Sequence, residues 1–230
     1  MSKRGLHRDR NFLIYLLGNI VSWLGTWAQR IGIGWLSWDL THAAAWVGVV
    51  SLAQLLPLVF LGPIFGTLLD RHDHRRYALG VNLTLAVLAA VLYFLTQLQL
   101  MRIALLCVMA IALGIANSAY QAVRLTLVND IVAAEGLPAA IAINSVLYNV
   151  TRAIGPAIAG VIIARYGIAI AFGVNAVSFI GILAALLVVR ITPRQTKQGP
   201  RGLAAESLDG LRYVLQHPEL RQSLDRKSVV

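Results

Sequence analysis

Long apolar stretches alternate with short polar breaks along most of this chain, and the stretches share one size. Each runs for about 20 residues or more, the length an α-helix needs to cross roughly 30 Å of hydrocarbon. The pattern predicts spans at 12–37, 44–69, 77–97, 103–123, 138–164 and 168–189. Turn and loop residues mark the breaks: Asp39, Thr41 and His42 after the first span, Gln97 and Gln99 after the third, Asn129 to Pro138 after the fourth, Tyr166 and Gly167 after the fifth. No break is long enough for an inserted soluble domain. The expected fold is an all-α membrane protein with six transmembrane helices over 12–190, an N-terminal arm at 1–11 and a cytoplasmic linker at 191–230.

Composition strengthens this picture. With 58% hydrophobic and only 13% charged residues in 230, the chain carries more apolar surface than a soluble core of its size can bury. Lipid is therefore the expected solvent for most of it. The formal charge of +10 is a topology signal, because short basic loops stay in the cytoplasm. Lys3, Arg4, Arg8 and Arg10 precede the first span, Arg71, Arg75 and Arg76 follow the second, and Arg190, Arg194, Lys197 and Arg201 follow the sixth. The opposite breaks hold only Arg102 and Arg165. Both termini are thus expected inside, and a nucleic-acid partner is not, since the basic residues are divided among loops beside spans. The first apolar run is too long for a cleavable signal and reads as a retained helix.

Few residues offer chemistry. Cys107 is the single cysteine, so no disulfide or cysteine metal cluster is expected. The sequence has no G-x-S-x-G, H-E-x-x-H or Walker A run, which removes the usual signatures of hydrolysis, zinc catalysis and ATP-driven transport. Neither an enzyme nor a cofactor or metal is expected.

Function must then lie in the polar residues inside the spans, which are costly there and face protein or a water-filled cavity. At 100° per residue, Asn19, Ser22, Trp23, Thr26, Gln29, Arg30 and Ser37 form one stripe on the first helix. Gly18, Gly25 and Gly32 recur every seventh residue beside it, where a neighbouring helix can come close. The fourth helix carries Asn117, Gln121 and Arg124 at i, i+4 and i+7. On the fifth, Arg152 follows Ser145, Tyr148 and Asn149, at a depth where an arginine costs about 2.5–3.5 kcal/mol. No Asp or Glu lies near the middle of a predicted span to pair with it. Cavity lining and interhelical hydrogen bonding both account for the amides, and Arg152 either meets an anionic substrate or bonds backbone carbonyls. Arg30 has Trp23 and Trp27 within reach of a cation–π contact. The cavity candidates are therefore Asn19, Trp23, Thr26, Arg30, Asn117, Gln121, Tyr148, Asn149 and Arg152. Trp35, Trp38 and Trp46 read as interfacial anchors.

The spans also hint at duplication. Helices one and four carry polar stripes, and helices two and five carry Gly62, Pro63, Gly66 and Gly155, Pro156, Gly160. Two three-helix repeats around a shared midplane cavity would give this arrangement. The turn after the second span, GTLLDRHDHRR, then resembles the G-x-L-x-D-R-x-G-R-[KR] loop of the major facilitator superfamily. Gly66, Leu68, Asp70, Arg71 and Arg75 match, whereas Asp73 and His74 depart from the pattern. The D-R-x-D-x-R-R form is similar to the enterobactin exporter and drug:proton antiporter branch, the transmembrane secretion effectors.

The resemblance implies the N-terminal half of a major facilitator fold. It makes Gly66, Asp70, Arg71, Arg75 and Arg76 a conformational gate on the cytoplasmic side. Gly155, Pro156 and Gly160 become a shortened antiporter motif for close helix packing. It further implies efflux of amphipathic small molecules, anionic or neutral, by alternating access in a bacterial inner membrane, with protons as coupling ion. Relatives of this kind have about twelve spans, so a C-terminal six-helix half is an expected partner. Residues 203–216 are expected to form an amphipathic cytoplasmic helix with Leu208, Leu211 and Leu215 on one face. The terminal DRKSVV resembles a translated sequencing adapter, which suggests a truncated gene. The alternative is a non-transporting half-transporter module or scaffold that needs a second six-helix chain.

Overall fold

The computed structural model describes residues 10–189 of the chain, with the side chain of residue 125 set aside. Six long helices account for nearly all of it: α1 (Arg10–Thr41), α2 (Ala44–Asp70), α3 (His74–Gln97), α4 (Ile103–Ile131), α5 (Leu137–Tyr166) and α6 (Ile168–Val188). A single 3-10 turn, Ala134–Gly136, leads into α5. Lipid supplies no hydrogen-bond partners, so each span must satisfy its backbone within itself, and the helix does this. Pro57 and Pro63 in α2 and Pro156 in α5 are accommodated inside their helices.

Each of α2 to α6 is long and apolar enough to cross a membrane. The exception is α1, predicted as a span at 12–37. Its polar stripe dilutes its apolar content, while its 32 residues give about 48 Å of helix at 1.5 Å per residue, ample for a crossing. The other departure from the sequence reading is α4, which runs eight residues beyond the predicted 123. Arg124 consequently lies inside a helix. The arm residues 1–9 and the expected helix at 203–216 lie outside the described residues.

The turns fall into two sets. His42, Gln99 and Gly167, the described residues with positive φ, sit in the α1–α2, α3–α4 and α5–α6 turns. Gly167, at φ 88, serves both as C-cap of α5 and N-cap of α6, a conformation that favours glycine. At the opposite end, Asp73 caps α3 by accepting a hydrogen bond from the Arg76 backbone N–H at 2.8 Å. The first of the two motif positions where the sequence departs from the superfamily thus has a local structural role.

Helix pairing follows the duplication expected from sequence. The neighbours of α1 are chiefly α6 and α5, those of α4 are α2 and α3, and α3 packs on α6. Exchanging α1–α3 with α4–α6 leaves this set of pairs unchanged. The core runs along α1, α3, α4 and α6, from Phe12 and Tyr15 through Leu92, Leu106 and Leu113 to Phe172, Ile182 and Leu186. In contrast, α2 buries only Val50 and Leu69.

The glycine heptad of α1 marks the α6 contact. A Cβ on Gly18 would stand 2.9 Å from Ala185 Cβ, one on Gly25 2.3 Å from Ser178 Oγ, and one on Gly32 2.8 Å from the Phe172 ring. On α5, a Cβ at Gly155 would meet Trp27 at 2.6 Å. Its expected companion Gly160 faces open space, as do Gly62 and Gly66. The packing role assigned to Gly160 is therefore not exercised against the described helices, because α5 turns that face away from α1.

Candidate functional site

The polar stripes of α1 and α4 face each other and open into a recess of about 60 Å³. From α1 come Ser22, Trp23, Thr26, Trp27 and Arg30, from α4 Asn117, Tyr120 and Gln121, and from α5 Tyr148, with Leu58, Leu85 and Phe179 closing the apolar sides. A second recess of about 280 Å³ adjoins it, sharing Arg30, Leu58 and Asn117 and adding Ser51 and Gln54 of α2. Of the nine residues expected from sequence to line a cavity, Trp23, Thr26, Arg30, Asn117, Gln121 and Tyr148 do so.

Hydrogen bonds fix the inner wall. Trp23 Nε1 donates to Tyr120 Oη at 2.8 Å, and Tyr120 in turn donates to Asn19 Oδ1 at 3.2 Å. Asn19 Nδ2 donates to the Tyr15 carbonyl at 2.8 Å, and Tyr15 Oη to the Arg124 carbonyl at 3.2 Å. This chain of bonds ties α1 to α4 and holds the indole of Trp23 at the recess floor. Asn19 is only 1% exposed, so it positions the wall rather than lining it. Deeper between α1 and α6, Asn175 Nδ2 donates to Gln29 Oε1 at 2.8 Å.

Two guanidinium groups stand on aromatic rings. Arg30 lies 5.0 Å from the Trp27 ring centroid, and Arg124 lies 4.2 Å from that of Tyr148 and 5.9 Å from that of Trp23. Trp23 and Tyr148 themselves meet edge to face at 5.3 Å. The only ion pair among the described residues is His74–Asp130, so neither arginine has a carboxylate partner there.

Besides Asn19, two of the nine lie outside both recesses in this half. Asn149 and Arg152 are exposed and are not among the residues lining either recess. The buried side of α5 is set by Ala140, Asn144, Thr151, Gly155 and Ala159. At 100° per residue Asn149 lies on nearly the opposite side, whereas Arg152, one turn beyond Tyr148, lies at the edge of the buried side. Asn149 Nδ2 donates to the carbonyl of Ser145 at 2.9 Å. Conversely, Tyr120 was not singled out. Its spacing of three from Asn117 and four from Arg124 puts it on the same face, but a tyrosine in an apolar run carries no distinct polar signal.

At the turn between α2 and α3, Asp70, Arg71 and Arg76 are exposed. No ion pair of Asp70 is present among the described residues. Arg75 Nη2 donates to the Leu187 carbonyl on α6. His74 Nδ1 lies 2.5 Å from Asp130 Oδ2, near the end of α4. Since a carboxylate only accepts, the ring nitrogen is the donor. Thus the link across this turn is made by His74, at a position where the superfamily pattern has arginine.

Residues 6–230 match the sequence profile of the transmembrane secretion effector family, a branch of the major facilitator superfamily. The chain belongs to this family. The resemblance read from the α2–α3 turn is therefore confirmed, and the six-helix all-α bundle is the arrangement expected for the first half of such a transporter. Among the family's curated relatives, the Staphyloferrin A transporter of Staphylococcus aureus is 28% identical over 177 residues, covering 75% of this chain and 44% of the relative. Multidrug efflux pump Tap of Mycobacterium tuberculosis is 27% identical over 226 residues, 92% of this chain and 52% of the relative. Macrolide efflux protein A of Streptococcus pyogenes is 26% identical over 196 residues, 84% and 46% respectively. The chain spans about half the length of the curated relatives it matches. Membership of the transmembrane secretion effectors makes it a multi-pass membrane protein of a transporter family, not of an enzyme family.

Proposed function

We propose that the chain forms one six-helix half of a secondary active exporter of amphipathic small molecules, anionic or neutral, that works by alternating access. The observation carrying this reading is the recess between α1, α4 and α5, where Trp23, Trp27, Tyr120 and Tyr148 offer aromatic surface beside Arg30 and four amide or hydroxyl side chains, Ser22, Thr26, Asn117 and Gln121. Apolar rings with a few convergent polar groups are what a site for amphipathic ligands requires. Names of relatives agree in kind: one is a siderophore transporter, one a multidrug pump and one a macrolide efflux protein.

The second half would cover α2 and α5. Leu52, Leu55, Val59 and Phe60 of α2 and Val146, Val150, Ile154 and Val161 of α5 are all exposed. Rocking of the two halves about the recess would then expose it to each side in turn. Asp70, Arg71, Arg75 and Arg76 are assigned to the gate that holds one of these states, and the proton gradient to the driving force, as the family resemblance implies. The distribution of Lys and Arg supports a bacterial inner membrane with both termini cytoplasmic. The same exposed faces support a second reading, in which the chain is a half-transporter module or scaffold that stays inactive until a second six-helix chain joins it.

A deletion strain complemented with the complete gene tests the proposal through a panel of drugs and an assay of secreted siderophore. Restored resistance or secretion that collapses with a protonophore is the expected result. Complementation without any change in efflux refutes export, and activity indifferent to the protonophore refutes proton coupling.

A further inference from the structure

Arg124 is not among the residues that line the recess, yet it sits directly behind two that do. Its guanidinium lies over the rings of Tyr148 and Trp23, both part of the recess wall. Nε and Nη1 are buried and donate to no acceptor among the described residues. The acidic residues in the described range, Asp39, Asp70, Asp73, Asp130 and Glu135, all lie at or between helix ends, and Asp130 is engaged by His74. Buried N–H donors of a partly buried cation are costly without acceptors, and cation–π contact returns only part of the lost hydration. Nothing in the packing of α4 demands such a group, since Val123, Leu127 and Val128 around it are fully or almost fully buried apolar residues.

We propose that Arg124 is the anion subsite of the recess, and that the carboxylate of an amphipathic substrate reaches its unfilled N–H donors when the Tyr148 ring swings aside. This rests on the reading of the recess as the substrate site and narrows the substrate class to carboxylates. The surroundings suit that task. Trp23 cannot yield, because its Nε1 is tied to Tyr120 and it is 2% exposed. Tyr148 can, because it is only partly buried and no hydrogen bond holds its phenol among the described residues. The covering ring keeps Nε and Nη1 out of water until a ligand large enough to replace it arrives. A carboxylate there forms a charge-assisted bond in a site from which water is already excluded. The apolar body of the same molecule takes the place of the phenol against Trp23.

The test uses the complete transporter in lipid nanodiscs, with 1-naphthylacetate as the anionic probe and 1-naphthylacetamide as its neutral counterpart. Binding is followed by tryptophan fluorescence. The carboxylate is expected to bind at least tenfold tighter than the amide. Arg124→Gln should bring the ratio to within twofold, Arg124→Lys should keep most of it, and Arg30→Gln should leave it in place. A ratio that survives Arg124→Gln, or one abolished by Arg30→Gln alone, overturns the assignment. Phenylglyoxal labelling of the unmutated protein gives a readout independent of variant folding. Naphthylacetate, and not the amide, should protect Arg124 from modification in peptide mass spectra. An Arg124 that the reagent never reaches, or that the carboxylate fails to protect, overturns it equally. Export is scored separately: carboxylate preference through Arg124 without any efflux would refute the exporter and leave the anion site standing, and efflux without that preference would do the reverse.

Discussion

Gly25 of α1 and Ser178 of α6 approach so closely that a single added methyl group on Gly25 would stand 2.3 Å from Ser178 Oγ and 2.8 Å from its Cβ. Asn175 Oδ1 would be met at 2.7 Å, and Ser178 is itself held by a hydrogen bond to the Asn175 carbonyl at 2.7 Å. Rotating the hydroxyl away would not suffice, because the Ser178 Cβ itself would still stand 2.8 Å away. Gly25→Ala should therefore force α1 and α6 apart and lower stability by about 1–3 kcal/mol, the usual cost of overpacking. Gly48→Ala, where nothing lies within 4 Å, should change stability little or raise it slightly. Thermal unfolding in detergent measures both, and equal midpoints for the two variants would refute the packing argument.

Removing one oxygen atom tests the hydrogen-bond chain behind the recess. Tyr120→Phe leaves Trp23 Nε1 without its acceptor and Asn19 Oδ1 without its donor. Interhelical bonds in membranes average about 0.6 kcal/mol each, and a stranded buried donor adds to that. The expected loss is about 1–2 kcal/mol, together with a change in tryptophan emission as the indole loosens. A variant as stable as the parent with unaltered emission would show that the bonds are incidental.

The α2–α3 turn separates a capping effect from a charge effect. Asp73→Ala should cost about 1 kcal/mol through loss of the α3 N-cap, and Asp73→Ser should recover most of it although the charge is gone. If serine behaves like alanine, the carboxylate acts through its charge and the cap is secondary.

One position along, His74 bridges α3 and α4 through Asp130. His74→Ala should destabilise by about 1–3 kcal/mol, because it leaves a largely buried carboxylate short of a partner. His74→Arg should preserve the link and stay close to the parent protein. Failure of arginine to substitute would mean that the ring geometry, rather than a donor to Asp130, is what this turn needs.

Gating predicts a kinetic signature. Asp70 is exposed and no ion pair of it is present among the described residues, so Asp70→Asn should leave stability within about 0.5 kcal/mol, as for other surface substitutions. In the complete transporter it should slow turnover while substrate affinity stays within a few-fold. Transport assays in proteoliposomes decide it, and unchanged turnover would remove Asp70 from the gate.

Sequence periodicity carried much of this structure and failed at definable points. The heptad of Gly18, Gly25 and Gly32 announced a close helix contact, but period alone names a face and not the helix that arrives there; α6 was invisible from α1. The stripes on α1 and α4 were legible because polar residues are scarce and one-sided on those helices. On α5 they are not one-sided. Tyr148 and Arg152 are one turn apart on one side of α5 while Asn149 points away, and the packing of Gly155 on Trp27 sets how that side meets α1. Depth along the helix made Arg152 attractive, yet in this half it lies outside the recess, exposed one turn beyond Tyr148. Arg124 falls one residue beyond the span predicted for the fourth helix, and the extra turns of α4 are what carry it inside.

The exchange of partners between the repeats bears on how the chain assembles. The helix with too little apolar character to qualify as a span by composition, α1, leans its glycine edge on α6, which is translated last among those described. Neither triplet of helices can close by itself, since each lends a member to the other. During synthesis the Gln29 amide of α1 lacks its Asn175 partner until α6 has emerged. A chain cut before Ile168 would leave the glycine edge of α1 without the helix that packs on it.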